Sequence, residues 1–351
     1  MKNSINKINF HFDERIKSDF YTADYFVKTR NIINNQLKDS TFTMQWFQRQ
    51  KDVFFCGSEI IKKLLEFKGS KDIIFEYLEE GSIIQPFEPV LRITGKYKDF
   101  CDLEGLIDGI LSRSTTVANN AHKIKLAANN KQVINMNDRM DIYLNQQIDG
   151  YSSFVAGLSN LVTPASFEYL GIKPNLKGTM PHSLIAAFNG DITLAAKSYL
   201  NQYPDNNLVV LVDYNNDVIN DSIKVCNELK DKVYAVRIDT SANLIDKSLE
   251  LLDINNEELY GVNVTLVKLL RDALDFNGFN NVKIVASSGF DENKIAEFES
   301  KNSMVDIYGV GEALTKNKIN FTGDVVKVNG LEQAKFGRKF IESFRLKSIK
   351  Y

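Results

Sequence analysis

The stretch "NLVVLVDYNNDVINDSIKVCNELKDKVYAVRIDT", residues 207–240, reads as strand, helix, strand. Its first run, "NLVVLVDY" (207–214), stays apolar until Asp213. "DSIKVCNELKDK" (221–232) then places apolar residues at helical spacing, and "VYAVRIDT" (233–240) is again apolar up to Arg237. Strands that lack polar alternation are buried on both faces, the condition of a parallel sheet covered by helices.

The same unit recurs on both sides. "QVINM" (132–136) and the helical pattern "HSLIAAFNGDITLAAKSYL" (182–200) precede it. "VTLVKLLRDALDFNG", "NVKIVASSG" (281–289), "DENKIAEFESKN" and "MVDIYGVG" (304–311) follow. Five or more such units in one stretch favour a barrel over an open sheet. The helical pattern "LEGLIDGILSRSTTVANNAHKIKLAAN" leads into them, so a barrel domain is expected over residues 105–311.

A chain of 351 residues exceeds one small core and suggests two domains. Residues 1–104 mix both element types. "DFYTADYFVKTRNII" reads as a helix, "TFTMQWFQRQ" (41–50) as a strand, and "CGSEIIKKLLEFKG" as an amphipathic helix stopped by glycine. "GSIIQPFEPVLRITGKY" reads as strands interrupted by prolines. The tail "FTGDVVKVNGLEQAKFGRKF" alternates as strands do, so residues 312–351 are expected to complete the 1–104 domain.

Composition narrows the function classes. Hydrophobic residues make up 44% and charged residues 25%, with a net charge of −2, which removes a broad electrostatic case for nucleic acid. The basic stretch "KFGRKFIESFRLKSIKY" reads as a solvated helix face. Cys56, Cys101 and Cys226 form no CxxC pair, which argues against a zinc knuckle or disulfide framework and fits a reducing compartment. "MKNSINKINFHFDERIK" lacks the apolar centre of a signal peptide, and no apolar run approaches the roughly 20 residues of a membrane span. A cytoplasmic protein without a membrane partner is the expectation.

In a β/α barrel the chemistry lies at the C-terminal strand ends. "ASSGFDE" (286–292) and "YGVGEAL" (308–314) each put glycine between a strand and a helix, where backbone N–H groups can approach a phosphate. One such loop is usually a tight turn; two in succession late in a barrel suggest a phosphate site. "VRIDT" puts Arg237 and Asp239 on one face of a strand, as a structural ion pair or as a grip for an anionic substrate. Asp213 ends its strand, while Asp217 reads as a helix-start acid. Arg139 follows the first barrel strand and Arg113 lies on the helix before it. Lys283 sits inside an apolar run, as a Schiff-base lysine of a lyase or as the partner of Asp239 or Asp213. "GTMPHS" (178–183) brings Thr179, His182 and Ser183 to the mouth of a helical pattern; His11 and His122 read as structural.

"GTMPHSLIAAFNGD", "LVDYNND", "VRIDTSANLIDKSL", "VKIVASSGF" and "YGVGEAL", in this order, resemble the nicotinate phosphoribosyltransferases, most closely the shorter archaeal and bacterial form. The similarity extends upstream through "EPVLRITGKYKDFCDLEGLIDGILSRSTTVANN" and "CGSEIIKKLL" to "DFYTADYFVKT". The resemblance implies a type II phosphoribosyltransferase: an irregular α/β barrel plus an open-faced α/β sandwich built from both chain ends. It implies transfer from phosphoribosyl pyrophosphate to nicotinate in NAD salvage, with Mg²⁺ on the pyrophosphate and ATP coupled through phosphorylation of His182. It also implies a homodimer or dimer-based higher oligomer with shared active sites.

By position, Arg237 would hold the nicotinate carboxylate, with Thr179 and Ser183 near the ring or ribose. Tyr21 of a partner subunit would stack on the pyridine. Ser288, Gly289, Gly309 and Gly311 would cradle the 5′-phosphate; Arg113 and Arg139 would face the pyrophosphate; Asp239 would bind the ribose hydroxyls directly or through Mg²⁺. The chain departs from the family pattern at Ser114, where a second basic residue is expected, and at Ser288, where glycine is common. Quinolinate phosphoribosyltransferase is the same-fold alternative, and it calls for a denser basic cluster than these strand ends supply.

Overall fold

A computed structural model describes residues 9–178, 180–250 and 259–351. Two six-stranded sheets organise it. The first contains β1 (Thr41–Phe47), β3 (Ile74–Tyr77), β5 (Leu91–Lys96), β12 (Thr322–Val328), β13 (Leu331–Glu332) and β14 (Lys347–Lys350), in the order β13-β12-β1-β5-β3-β14. All of its pairings are antiparallel, and strands from both chain ends interleave within it. A small ribbon of β2 (Val53–Phe54) and β4 (Ile83–Ile84) stands beside it.

Every residue of β1 after Thr41 is buried, so this strand is covered on both faces. Trp46 is fully buried and donates its indole N–H to Asp108 at 2.9 Å. Helix α1 (Asp24–Gln36) has no buried residue, whereas α2 (Ser58–Lys68) sets Ile60, Ile61, Leu64 and Leu65 inside and ends at Gly69 in the left-handed conformation. Residues 335–351, expected as a solvated helix face, form no helix. Three of their cations pair with acids: Arg338 with Asp324, Arg345 with Glu88 and Lys347 with Glu79, while Phe340 lies under Arg92. The segment then ends in β14, paired to β3.

The second sheet is parallel: β6 (Gln132–Asn135), β7 (Asn160–Leu161), β8 (Leu208–Leu211), β9 (Val233–Ile238), β10 (Lys283–Ala286) and β11 (Ile307–Val310), in the order β7-β6-β11-β10-β9-β8. Its edges β7 and β8 are not paired to each other, so the barrel is irregular and open along one side. The backbone of Lys177 reaches Leu161 O at 2.9 Å, laying the 175–178 segment along that edge. Helices α3 (Glu104–Ala127), α4 (Gln146–Val155), α5 (His182–Ala187), α6 (Ile192–Gln202), α7 (Val218–Leu229), α8 (Val264–Phe276) and α9 (Glu292–Ser300) complete the layer. The apolar faces of α7 and α8, including Val225, Leu266 and Leu270, join one large core with the outer faces of the strands. No helix among the described residues is long and apolar enough to cross a membrane.

The helical pattern after His182 divides in two, which the periodicity alone conceals. Asn189 and Gly190 turn left-handed at φ 53° and 84°, and Asp191 caps the second helix through Leu194 N at 2.9 Å. The histidine therefore stands on a short helix of its own.

Candidate active site

Strand side chains alternate, and the register fixes which face lines the barrel. Ile134, Ala235, Val285 and Ile307 meet as a small apolar cluster inside it. The next residues on the same faces are Met136, Arg237, Ser287 and Gly309, and beyond them stand Asp138, Asp239, Gly289 and Gly311. An apolar floor thus gives way to a polar mouth within one pair of residues along each strand. Two adjoining cavities of ≈ 300 Å³ each lie there and share Met136, Arg139, Arg237 and Asp239. One is walled by Ser287, Ser288, Gly289, Gly309 and Gly311; the other reaches Lys177, Pro181 and His182.

The phosphate-loop candidates meet in the first cavity. Gly309 leaves room where a Cβ would stand 3.0 Å from Met136 and from Ser287 Cβ; at Gly311 it would stand 3.0 Å from Met136 O. Ser288 is left-handed at φ 78° and Gly289 at φ 68°, so the serine adopts a conformation that costs an L-residue about 1–2 kcal/mol. Such a conformation persists where the surroundings impose it, and it clusters at functional loops. Lys294 braces the loop from behind: its ammonium lies 3.3 Å from Ser288 O and over the Phe290 ring, and burial lowers its pKa. At the N-terminus of α9, Asp291 accepts from Lys294 N at 2.9 Å and caps the helix.

Arg237 and Asp239 approach at 3.2 Å between Nη2 and Oδ2, and Ser287 joins them. Its Oγ accepts from Arg237 Nε at 2.8 Å and donates to Asp239 Oδ1 at 2.7 Å. Arg237 is paired, as one of its two readings has it, and it also lines both cavities. Ser287 escaped the sequence reading, although its spacing of two from Val285 places it on the inner face. Lys177 and Lys316, which also line the mouth, carried no comparable signal.

His182 opens α5, and its Nε2 lies 3.0 Å from Asp213 Oδ2. The Asp213 side chain is only 8% exposed, against 47% for the histidine, so the carboxylate is the fixed member of the pair. Burial pushes the Asp213 carboxyl above its usual range, with His182 opposing. Its other oxygen is buried and accepts no hydrogen bond from another side chain among the described residues. Arg139 is exposed at the mouth and makes no ion pair among the described residues.

Other candidates lie elsewhere. Arg113 is bound by Asp149 through Nε at 2.7 Å and by Asp141 through Nη1 at 2.6 Å, and it lines neither cavity. Lys283 stands two residues below Val285, at the opposite end of the barrel strand. There it meets the Tyr234 hydroxyl at 3.1 Å, not Asp239 or Asp213. That hydrogen bond raises its pKa, contrary to what an amine nucleophile requires. Tyr21 is 43% exposed and bonds to Asp13 at 2.7 Å, outside this mouth. Ser183 is exposed on α5 and lines neither cavity, and Thr179 lies outside the described residues. Ser114 is fully buried, with its Cβ 3.3 Å from where Gly57 would carry one, so position 114 faces the packing of α3 and not the mouth.

With this geometry in place, similarity to known proteins can be set beside it. Residues 22–115 match the family model described as quinolinate phosphoribosyl transferase, N-terminal domain. The chain is 27% identical over 239 residues to nicotinate phosphoribosyltransferase of Mycobacterium tuberculosis, covering 67% of this chain and 46% of that protein. It is 24% identical over 273 residues to nicotinate phosphoribosyltransferase of Bacillus subtilis, covering 77% and 51%. The chain thus spans about half the length of the curated relatives it matches. Among solved structures it resembles nicotinate-nucleotide pyrophosphorylase of Pyrococcus furiosus, with 28% identity, a TM-score of 0.80 and coverage of 98% and 86%. It also resembles human nicotinic acid phosphoribosyltransferase, with 15% identity, a TM-score of 0.67 and coverage of 89% and 76%.

Proposed function

From the premise that the chain has the fold of the type II phosphoribosyltransferases, we propose that it joins nicotinate to phosphoribosyl pyrophosphate, forming nicotinate mononucleotide and pyrophosphate. The observation that carries this reading is one cleft with a paired arginine, Arg237, on one side and the glycine-lined cradle of Ser288, Gly289, Gly309 and Gly311 on the other. A cradle of backbone N–H groups suits the 5′-phosphate, and a guanidinium suits the pyridine carboxylate.

In this reaction the ring nitrogen forms a bond to ribose C1 as the C1–oxygen bond to pyrophosphate breaks. The transition state is a ribose cation beside a highly charged leaving group. It needs oriented charges more than a strong base. Asp239 would face the ribose, while Arg139, Lys177 and Lys316 supply cations to the pyrophosphate side. Mg²⁺ would arrive on the pyrophosphate of the donor, as part of the substrate.

ATP coupling is the finer part of the proposal. If Nε2 of His182 carries the proton shared with Asp213, Nδ1 keeps its lone pair and is the atom to accept a phosphoryl group. Tyr21, exposed beside Phe20 on the chain's surface, would complete the site of a second copy. A quinolinate-specific enzyme is the second reading, favoured by the family-model match over residues 22–115. It must hold two carboxylates, and Arg113, tied to Asp149 and Asp141, is not available for the second.

A steady-state assay with nicotinate, nicotinamide and quinolinate, each with and without ATP, tests the reading. Nicotinate-dependent pyrophosphate release supports it; turnover of quinolinate alone overturns it. In the same assay His182→Ala is expected to abolish ATP stimulation while retaining ATP-independent synthesis. Equal loss of both would assign His182 to ribosyl transfer itself.

A further inference from the structure

Ser287 is 2% exposed and follows directly on β10. Its hydroxyl oxygen has three polar neighbours: Arg237 Nε at 2.8 Å, Asp239 Oδ1 at 2.7 Å and Ile238 O at 3.1 Å. The hydroxyl has one proton, and the nearer, charged acceptor takes it, while a lone pair receives the guanidinium N–H. Arg237 Nη2 and Asp239 Oδ2 close the ring at 3.2 Å.

The consequence is geometric. A guanidinium and a carboxylate this close favour two parallel hydrogen bonds, here from Nε and Nη2 to the two oxygens. Ser287 occupies the Nε–Oδ1 side of that arrangement and holds it to one direct contact. The hydroxyl is itself held: Ser287 N donates to Ile238 O at 3.0 Å, and Gly309 opposite leaves space where a Cβ would stand 3.0 Å from Ser287 Cβ.

We propose that Ser287 is a positioning residue that keeps Arg237 and Asp239 from collapsing into a two-bond pair, so that the arginine meets the pyridine acid and the aspartate meets the ribose. This rests on the nicotinate phosphoribosyltransferase reading. Losing the hydroxyl should therefore harm the pyridine acid, whereas the 5′-phosphate depends on the separate backbone of Ser288, Gly289, Gly309 and Gly311.

The test uses the full chain, its Ser287→Ala and Ser287→Cys variants, and Arg237→Lys to assign the Arg237 Nε–H resonance in nitrogen-15 spectra. Exchange protection of that N–H is read first, without substrate. Nicotinate and inorganic phosphate binding and steady-state kinetics follow. In Ser287→Ala the N–H should lose its protection, and the nicotinate KM should rise about tenfold, as for loss of a hydrogen bond to a charged group. Phosphate affinity should stay within about twofold, and Ser287→Cys, a weaker donor and acceptor, should fall between. A protected N–H with unchanged nicotinate affinity in Ser287→Ala overturns the role, and so does an equal loss of nicotinate and phosphate binding. Protection lost in the variant of a protein that never turns over nicotinate supports the role of Ser287 and sinks the substrate assignment. Equal nicotinate turnover by wild type and Ser287→Ala does the reverse.

Discussion

The barrel mouth and the seam between α3 and α4 each hold an arginine among carboxylates, and they use it in opposite ways. In the seam, Arg113 is gripped by Asp149, which is 3% exposed, and by Asp141 from the other side. Burial pushes Asp149 upward and its arginine pulls it back, so each depends on the other. At the mouth, Arg237 approaches Asp239 at 3.2 Å among the described residues, with the Ser287 hydroxyl bonded to both. What separates the two arginines is the number of carboxylates within reach and whether a cavity adjoins.

The largest test of that contrast is Arg113→Ala. Removing one member of a buried pair leaves the other charged and unsolvated, so unfolding free energy should fall by about 3–4 kcal/mol. Urea unfolding measures it. The nicotinate KM of the folded fraction should not change, and a catalytic loss without a stability loss would return Arg113 to the site. Arg237→Lys is the converse. Its nicotinate kcat/KM should drop about thirtyfold, near 2 kcal/mol, because one ammonium cannot reproduce a planar fork. The unfolding midpoint should move little. An unaltered nicotinate KM would remove Arg237 from the carboxylate site.

Much of this architecture was legible in the sequence, for a physical reason. Parallel strands are buried on both faces, so runs such as "NLVVLVDY" and "VYAVRIDT" announce themselves without tertiary information. Strand alternation likewise placed Arg237 beside Asp239, and the strand-to-helix position of Gly289, Gly309 and Gly311 brought them to one cavity. Three things were not legible. The break at Asn189 and Gly190 depends on two left-handed residues inside an otherwise helical pattern. The capture of Arg113 depends on Asp149, 36 residues away on another helix. The depth of Lys283 depends on which end of a short strand begins at position 283, and element boundaries are the least certain part of a pattern reading. The missed Ser287 is different: it was accessible to the same period-two rule, but serine drew no attention beside charged neighbours.

The smallest test extends the contrast to the other end of α3. Glu104 and Asp108 lie there with Asp324 of β12 close by; Asp108 accepts from Trp46 of β1, and Asp324 pairs with Arg338 at 2.7 Å. Burial, and then Asp108, pushes the Glu104 carboxyl from 4.5 up to about 8; burial also pushes Asp108 up to about 6, against its hydrogen bond from Trp46. A carboxyl raised on folding binds more protons in the folded chain than in the unfolded one between the two values. Stability from these groups is therefore complete below the unfolded pKa and is lost as pH rises through the folded one. For Glu104 that window runs from 4.5 to about 8. Urea midpoints measured across it should decline with pH, and Glu104→Gln, which carries no charge at either end, should flatten the decline. An unaltered slope in that variant would place the burden on Asp108. A slope that rises with pH would mean that Arg338 serves all three acids, making this end of α3 a second locked network like that of Arg113.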